Sequence, residues 1–123
     1  MKSKIHLIRH GITEANQKRL YYGASDIPLA EEGVAELISL VTEGIYPQFD
    51  EGELYTTGLL RTEQTFALIF GEKQHTLIEE LQEMRFGEFE MKSHEELENH
   101  AGYKEWIADK TGTLASPKGE SIR

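Results

Sequence analysis

Arg9, His10 and Gly11 place a cation, an imidazole and a glycine side by side near the start of the chain. An apolar run over residues 5–8, broken only by His6, leads into them. A short apolar run that ends near glycine is typical of a buried strand entering a turn. Because ligands of open α/β sheets bind beyond the carboxyl ends of the strands, we expect these side chains to face a site. A guanidinium binds phosphate or carboxylate through a fixed fork of donors, and a neutral imidazole offers a nucleophilic nitrogen. A strand end and a turn without any ligand would give the same tripeptide.

Strand and helix patterns alternate along the chain after this tripeptide. Val34, Leu37, Ile38 and Val41 recur at the spacing of a helix. The sequence predicts a loop at residues 17–28, a helix at 30–43, a strand at 54–57, a helix at 59–70 and a strand at 75–78. With the first strand, this order is that of an α/β fold with a parallel sheet.

Glutamates become frequent after the third predicted strand. Ser93 and Glu96 have the spacing of a capping box, which predicts the start of a short helix. Tyr103 and Trp106 indicate a further amphipathic turn or two. Residues 110–121 are rich in Thr, Gly, Ser and Pro and are predicted to form a loop.

Charged side chains follow each of the three predicted strands. Arg9 and His10 follow the first strand, Arg61 follows the second and Glu83 follows the third. The carboxyl ends of parallel strands lie at one edge of a sheet, so we expect His10, Arg61 and Glu83 to converge. Arg61 could instead pair with the nearby Glu63, and Glu83 is one glutamate among many.

Composition restricts the classes of function that the chain can have. Its 123 residues fit one domain, and 38% of them are hydrophobic, which is enough for a core. The formal net charge of −9 argues against nucleic acid as a partner, although a local cationic pocket can still bind a small anion. The absence of cysteine excludes disulfides, thiolate metal sites and cysteine nucleophiles. No stretch reaches the roughly 20 apolar residues of a membrane helix, and we expect a cytoplasmic protein that is not bound to a membrane.

Further motif residues surround the candidate site residues. They are Thr13 and Asn16; Gly23, Asp26, Pro28, Leu29 and Gly33; Gln64 and Thr65 beside Arg61; Leu81, Gly87, Phe89 and Glu90 around Glu83; and Gly119, Glu120 and Ser121. With the opening tripeptide, their order and spacing resemble the histidine phosphatase superfamily, whose members are similar to phosphoglycerate mutase. The resemblance covers nearly the whole chain. It implies one domain over residues 1–123, with an α/β fold of mainly parallel sheet and helices on both faces.

The resemblance implies phosphoryl transfer through a phosphohistidine. His10 would be the nucleophile, and Arg9 and Arg61 would bind the phosphate oxygens through charge-assisted hydrogen bonds. Asn16 would add a neutral donor, and Gly23 would belong to the same phosphate-binding set. The partner would be a small phosphorylated substrate, and neither a cofactor nor a metal ion is implied.

Glu83 would supply the acid–base chemistry in the resembled mechanism. It would protonate the leaving oxygen and then deprotonate the attacking water. An acid of this kind must be protonated near the working pH, so we expect a dry environment that raises the pKa of Glu83.

The sequence departs from the family pattern in a few places. Ala30 stands where a Thr or Ser usually caps the following helix, which should weaken the helix start by about 1 kcal/mol. The family's second catalytic histidine lies beyond the Gly-Glu-Ser segment, whereas this sequence stops at Arg123. We do not expect it to be replaced by His6, His75, His94 or His100. The sequence therefore predicts an incomplete domain whose uncovered apolar faces favour a homo-oligomer.

Three functions remain open at this point. A phosphatase is favoured over a phosphoglycerate mutase, because Ala24 follows Gly23 where the mutase pattern has an aromatic residue. His94 also lies near the place of a lysine in the mutase pattern, and Lys92 is offset from it. A non-catalytic domain that binds phosphorylated ligands is the third alternative, because the second histidine is absent from this sequence.

Overall fold

The structure is a computed structural model that describes residues 3–48 and 52–123, and it divides into two compact units. In the described ranges, the first unit consists of residues 3–13, 27–48 and 52–80, and the second of residues 14–26 and 81–123. The elements in chain order are α1 (Glu14–Gln17), β1 (Leu20–Tyr21), α2 (Glu31–Thr42), β2 (Tyr55–Thr56), α3 (Leu60–Phe70), β3 (Thr76–Leu77), β4 (Lys92–Ser93), α4 (His94–Leu97) and α5 (Tyr103–Ala108). Short 3₁₀ turns lie at Glu79–Leu81 and Gly87–Phe89. Within these ranges, no helix has both the length and the apolar character that a membrane span requires.

The first unit contains both long helices and one pair of strands. Strands β2 and β3 pair in parallel, and α2 packs against α3. The predicted helices at 30–43 and 59–70 are thus confirmed, and so are the strands at 54–57 and 75–78, although each ladder is only two residues long. The fold is of the α/β class.

The prediction of a buried strand over residues 5–8 is wrong. The structure has no strand in residues 3–12, and the side chains of Ile5 and Leu7 are 86% and 94% exposed. A strand exists only where a neighbouring strand receives its backbone N–H and C=O groups. Among the described residues, no strand is paired with this segment, so its apolar character alone does not make it a strand.

The end of this first segment is held against the start of α2. The amide of Ala30 donates to the carbonyl of Ile12 at 2.9 Å, and Thr13 forms an isolated antiparallel bridge with Leu29. A Cβ atom on Gly33 would lie 2.1 Å from the carbonyl oxygen of Ile12, so only glycine permits this approach. The contacts fix the backbone immediately after His10.

The second unit is built around an aromatic cluster. Phe89, Leu97 and Tyr103 are completely or almost completely buried, and the partly buried hydrophobic residues packed against them are Tyr21, Phe86 and Trp106. The predicted capping box of Ser93 and Glu96 is confirmed, and α4 begins directly after Ser93. The predicted loop over 110–121 is confirmed as well.

Strand β1 of the second unit was not predicted from the sequence. Residues 17–28 were expected to be a loop throughout, but Leu20–Tyr21 forms β1, which pairs antiparallel with β4. A ladder of two residues is too short for an alternating hydrophobic pattern to reveal it. The turn before it uses Arg19 with a positive φ of 55°, which composition does not signal either.

Candidate active site

His10 lies half-buried at the end of the extended first segment, and Arg9 beside it is exposed. Atom Nδ1 of His10 is 2.6 Å from the carbonyl oxygen of Gly11. A carbonyl oxygen only accepts hydrogen bonds, so Nδ1 is the atom that carries the proton in this contact. In the neutral ring the nucleophilic lone pair is then on Nε2.

Thr65 connects the segment of His10 to helix α3. Its hydroxyl accepts a hydrogen bond from the amide of Gly11 at 3.0 Å and donates one to the carbonyl of Arg61 at 2.8 Å. One buried side chain thereby holds the backbone of the His10 segment and the first turn of the helix that carries Arg61.

Gln64 reinforces the same attachment. Its Oε1 accepts a hydrogen bond from the amide of Leu29 at 2.7 Å. Leu29 lies in the segment that leads into α2. Gln64 and Thr65 are therefore scaffolding residues for the loops around His10.

Arg61 is completely buried on the first turn of α3. Fully buried arginines are rare, and the desolvation of a guanidinium is costly. Glu63, which the sequence offers as an alternative partner for Arg61, makes hydrogen bonds with other residues. The carboxylate of Glu63 accepts from the hydroxyl of Thr56 and from Nε2 of His75, the latter at 2.8 Å.

The other three predicted site residues, Asn16, Gly23 and Glu83, belong to the second unit. Asn16 is on the short helix α1, and its Oδ1 accepts from the hydroxyl of Tyr22 at 2.9 Å. Because this contact uses the oxygen, the amide group of Asn16 is oriented with its NH₂ as the remaining donor.

Gly23 is buried against the segment that carries Glu83. A Cβ atom at this position would lie 1.9 Å from the carbonyl oxygen of Met84, so the loop can approach that segment only with glycine. The side chain of Glu83 is exposed. The dry environment expected for it is wrong for this structure, because residues 82–86 form an irregular segment at the surface.

Glu90 holds the loop of Gly23 and the segment of Glu83 together. Its carboxylate accepts from the amides of Gly23 (2.9 and 3.1 Å), Ser25 (2.9 Å) and Phe86 (3.3 Å). Partial burial raises the pKa of the Glu90 carboxyl, but the hydrogen bonds from Ser25, Gly23 and Phe86 outweigh it and lower the pKa below 4.5.

The sequence model of the histidine phosphatase superfamily, branch 1, matches residues 5–123. The chain belongs to this superfamily.

Two curated relatives and one solved structure illustrate the membership. The chain is 35% identical over 111 residues to the adenosylcobalamin/alpha-ribazole phosphatase of Salmonella typhimurium, covering 86% of this chain and 54% of that protein. It is 31% identical to the 2,3-bisphosphoglycerate-dependent phosphoglycerate mutase of Bartonella henselae, covering 100% of this chain and 63% of that protein. The crystal structure of the alpha-ribazole phosphatase from Shigella flexneri superposes with a TM-score of 0.78 at 33% identity, covering 94% of this chain and 57% of that chain. The chain thus spans about half to three fifths of the length of these relatives.

Two contacts in this member of the superfamily were not predicted from its sequence. The sequence identified Glu90 only as a residue of the motif around Glu83. Its carboxylate accepts from three backbone amides, and this arrangement exists only once the loop of Gly23 has folded. His75 was predicted to start a strand and was not expected to replace the second histidine, and its bond to Glu63 was not predicted. The separation of twelve residues between His75 and Glu63 carries no periodic signal that could have revealed this pair.

Proposed function

We propose that this histidine phosphatase is a phosphomonoester hydrolase that acts on a small phosphorylated metabolite through a phosphohistidine at His10. The observation that carries the proposal is the hydrogen-bond bridge of Thr65, which ties the backbone beside His10 to the turn of α3 that carries Arg61. A nucleophile and a cation held by one scaffold suit phosphoryl transfer, in which positioning and electrostatics do most of the work.

His10 takes the role of nucleophile in the proposed reaction. Its Nδ1 proton is directed to the carbonyl of Gly11, which favours attack on phosphorus by the lone pair of Nε2. The new N–P bond forms as the bond between phosphorus and the leaving oxygen breaks. Water then attacks the phosphoryl group, the N–P bond breaks, and inorganic phosphate and the free imidazole result.

Glu83 is proposed as the acid and base of this cycle. It gives a proton to the leaving oxygen in the first step and takes one from water in the second, so its protonation state is restored.

Arg9 and Arg61 are proposed to neutralise the transferring phosphoryl group. Each guanidinium can donate two parallel hydrogen bonds to phosphate oxygens. An anion beside the buried Arg61 would also offset part of the cost of burying that charge. Asn16 is proposed to donate from its NH₂ group, in keeping with the engagement of its oxygen by Tyr22. Gly23 completes the set as the position where the loop backbone comes closest to the segment of Glu83.

The reaction is proposed to be the hydrolysis of a small phosphate monoester rather than the isomerisation of a phosphoglycerate. A relative at 35% identity is named as an adenosylcobalamin/alpha-ribazole phosphatase, and one at 31% as a phosphoglycerate mutase. Ala24, in place of the aromatic residue of the mutase pattern, supports the same choice.

We also propose a finer description of the fold, a mainly parallel sheet with helices on both faces, which the parallel pairing of β2 with β3 supports. Self-association is supported by the exposed Ile5 and Leu7.

The test compares three substrates with the purified chain. Alpha-ribazole 5′-phosphate and a generic phosphomonoester should release inorganic phosphate, and a His10→Ala variant of the same fold should not. Conversion of 3-phosphoglycerate in the presence of 2,3-bisphosphoglycerate, without phosphate release, would assign the chain to the mutases instead. Phosphate release that survives in the His10→Ala variant would contradict the proposed nucleophile.

A further inference from the structure

A hydrogen-bonded group at the start of α3 joins three elements of the first unit. The carboxylate of Glu63 on α3 accepts from the hydroxyl of Thr56 on β2 and from Nε2 of His75, directly before β3, at 2.8 Å. The other ring nitrogen, Nδ1, is 2.9 Å from the carbonyl oxygen of Lys73. The ring of Phe66 lies against the imidazole, with 4.1 Å between the ring centroids.

This geometry fits a protonated His75. Both of its ring nitrogens face acceptors, because a carbonyl oxygen and an ionised carboxylate have no proton to donate. A neutral imidazole carries one N–H and can satisfy only one of these two contacts. The imidazolium carries two and satisfies both, and its contact with Glu63 is then an ion pair.

The ion pair lies at the turn that presents Arg61. Glu63 is two residues after Arg61 in the first turn of α3, and Thr56 precedes the turn between β2 and α3. The N-cap residue of α3 is Leu59, which has no polar side chain to cap the exposed amides. The contacts of Glu63 with Thr56 and His75 hold the two sides of this turn together. They act beside the hydroxyl of Thr57, which lies 2.9 Å from the hydroxyl of Thr62 within the same turn.

We propose that Glu63 and protonated His75 are positioning residues for Arg61, so that oxyanion affinity at Arg61 falls when His75 loses its proton. The proposal rests on the proposed function, in which Arg61 binds the phosphoryl group. When the imidazole is neutral, one of its two contacts is lost and the turn is held less firmly, so less of the population has Arg61 in the binding geometry.

The charges around His75 determine the direction of the effect. Glu63 faces it from α3; on the strand side, Glu53 and Lys73 line the same shallow cleft, and Glu53 is engaged by the hydroxyl of Tyr55. The backbone contact with Lys73 and the hydrogen bond and charge of Glu63 raise the pKa of His75 above 6.5, against a smaller opposing effect of burial. A raised pKa means that the ion pair is complete below pH 6.5 and is lost as the pH rises through the pKa of the folded state.

The experiment measures sulfate affinity against pH in the full chain and in its His75→Gln variant. Sulfate keeps one charge state from about pH 5.5 to about pH 8.5, a range that brackets the ordinary pKa of histidine. Glutamine can still donate to Glu63 but does not titrate. The measured quantity is the ratio of the sulfate affinity of the wild type to that of the variant. This ratio should fall by about fivefold as the pH rises over this range, which is at the low end of coupling between sites in proteins. A pH effect that is common to the wild type and the variant cancels in this ratio.

His100 provides the matched control. It lies 3.8 Å from Glu88 and packs edge-on against Phe89, but it belongs to the second unit. The ratio of wild-type affinity to that of a His100→Gln variant should not change with pH. A constant ratio for His75→Gln would overturn the inference while leaving the proposed function intact. If the wild-type chain failed to bind sulfate, or if Arg61→Lys left the affinity unchanged, the anion site itself would fail and the inference with it.

A measurement on the wild-type chain keeps the inference testable if the variant does not fold. Coupling between two sites is reciprocal, so bound sulfate must raise the pKa of His75 if protonation of His75 strengthens binding. NMR titration of the histidine rings with and without saturating sulfate should show a rise of about 0.7 pKa units at His75, which equals the fivefold coupling. The resonances of His100 serve as the internal reference. An unchanged pKa at His75 would overturn the inference.

Discussion

The hydroxyl group of Thr65 joins the two most important candidate residues of the first unit. It accepts from the amide beside His10 and donates to the carbonyl of Arg61, so neither of these backbone groups depends on solvent. The motif at residues 61–65 pointed to Arg61 as the chemical group, and the structure adds that Thr65 is its link to the nucleophile. A sequence shows which residue types are present, but a bond between residues 54 positions apart exists only once the helix has packed.

Replacing Thr65 by valine should damage both stability and catalysis. The two side chains have similar shape, but valine leaves the amide of Gly11 without this acceptor. An unsatisfied buried polar group costs about 1–3 kcal/mol, which denaturant unfolding can measure. Phosphatase activity should fall with it, because the His10 segment is no longer tied to α3. Thr42→Val is the matched control: Thr42 donates to the carbonyl of Ile38 on an exposed face, and its loss should cost less than about 0.5 kcal/mol.

Replacing Arg61 by lysine tests whether this residue binds the phosphoryl group. Lysine keeps the positive charge but loses the planar fork of donors. Vanadate and phosphate affinity should fall by about tenfold or more, the equivalent of one charge-assisted hydrogen bond. Arg85→Lys is the control, since Arg85 forms an exposed ion pair with Glu120 and should tolerate the change. Equal affinity in Arg61→Lys and wild type would make Arg61 a structural residue only.

At the scale of elements, the sequence predicted the two long helices correctly, but the strand that it predicted over residues 5–8 is absent from the structure. Helices α2 and α3 depend on local periodicity, which the sequence displays directly. A strand depends on a neighbour, and the apolar residues 5–8 have none in the described ranges. The pairing of β1 with β4 was missed for a different reason. Leu20 and Tyr21 lie in a stretch that contains Lys, Arg, Gly, Asp and Pro, a composition typical of a loop, and a two-residue ladder adds no alternating pattern. Apolar side chains of α2 such as Ile38 are also half exposed, so periodicity located the helix better than its buried face.

The start of α2 should be improved by a capping side chain. Ala30 is its N-cap residue, with an extended backbone at φ −71° and ψ 158°, and it makes no side-chain cap hydrogen bond. Ala30→Ser should therefore raise the free energy of unfolding by about 0.5–1 kcal/mol, through a bond from its hydroxyl to an amide in the first turn. Ala35→Ser, at an exposed position inside the same helix, should not stabilise the chain. No gain in Ala30→Ser would show that the bond of Ala30 to Ile12 already fixes this end.

The carboxylate of Glu90 should make the second unit sensitive to acid. Its pKa is lowered below 4.5, so its contribution to stability is present above that value and is lost as the pH falls through the pKa of the folded state. In Glu90→Gln the second unit should be less stable at neutral pH, and its stability should change less between pH 5 and pH 3 than in the wild type. Urea unfolding followed by the fluorescence of Trp106 in that unit measures both effects. Glu88→Gln is the control, because Glu88 is an exposed glutamate in the 3₁₀ turn that ends directly before Glu90, and this variant should keep the wild-type acid response. An unaltered acid response in Glu90→Gln would exclude the carboxylate as the source.

At the scale of the whole molecule, a chain with a formal net charge of −9 is proposed to bind a dianionic group. The general field of such a chain repels phosphate, so affinity must come from local cations held in place by the fold. The family membership and the rigid attachment of His10 to α3 agree with this requirement. The motif order carried the family assignment, whereas the roles of Asn16, Gly23 and Glu83 remain predictions that only chemistry can test.

Identification of the residue that is phosphorylated during turnover tests the role of His10 as nucleophile. The chain is mixed with a phosphomonoester, quenched in alkali to preserve phosphohistidine, digested and examined by mass spectrometry. We expect a phosphoryl group on His10, and none on His6, His75, His94 or His100. The label should appear within one turnover, disappear as substrate is consumed, and be absent from His10→Ala. Phosphate release without any label on His10, or a label on another residue, would contradict the central claim.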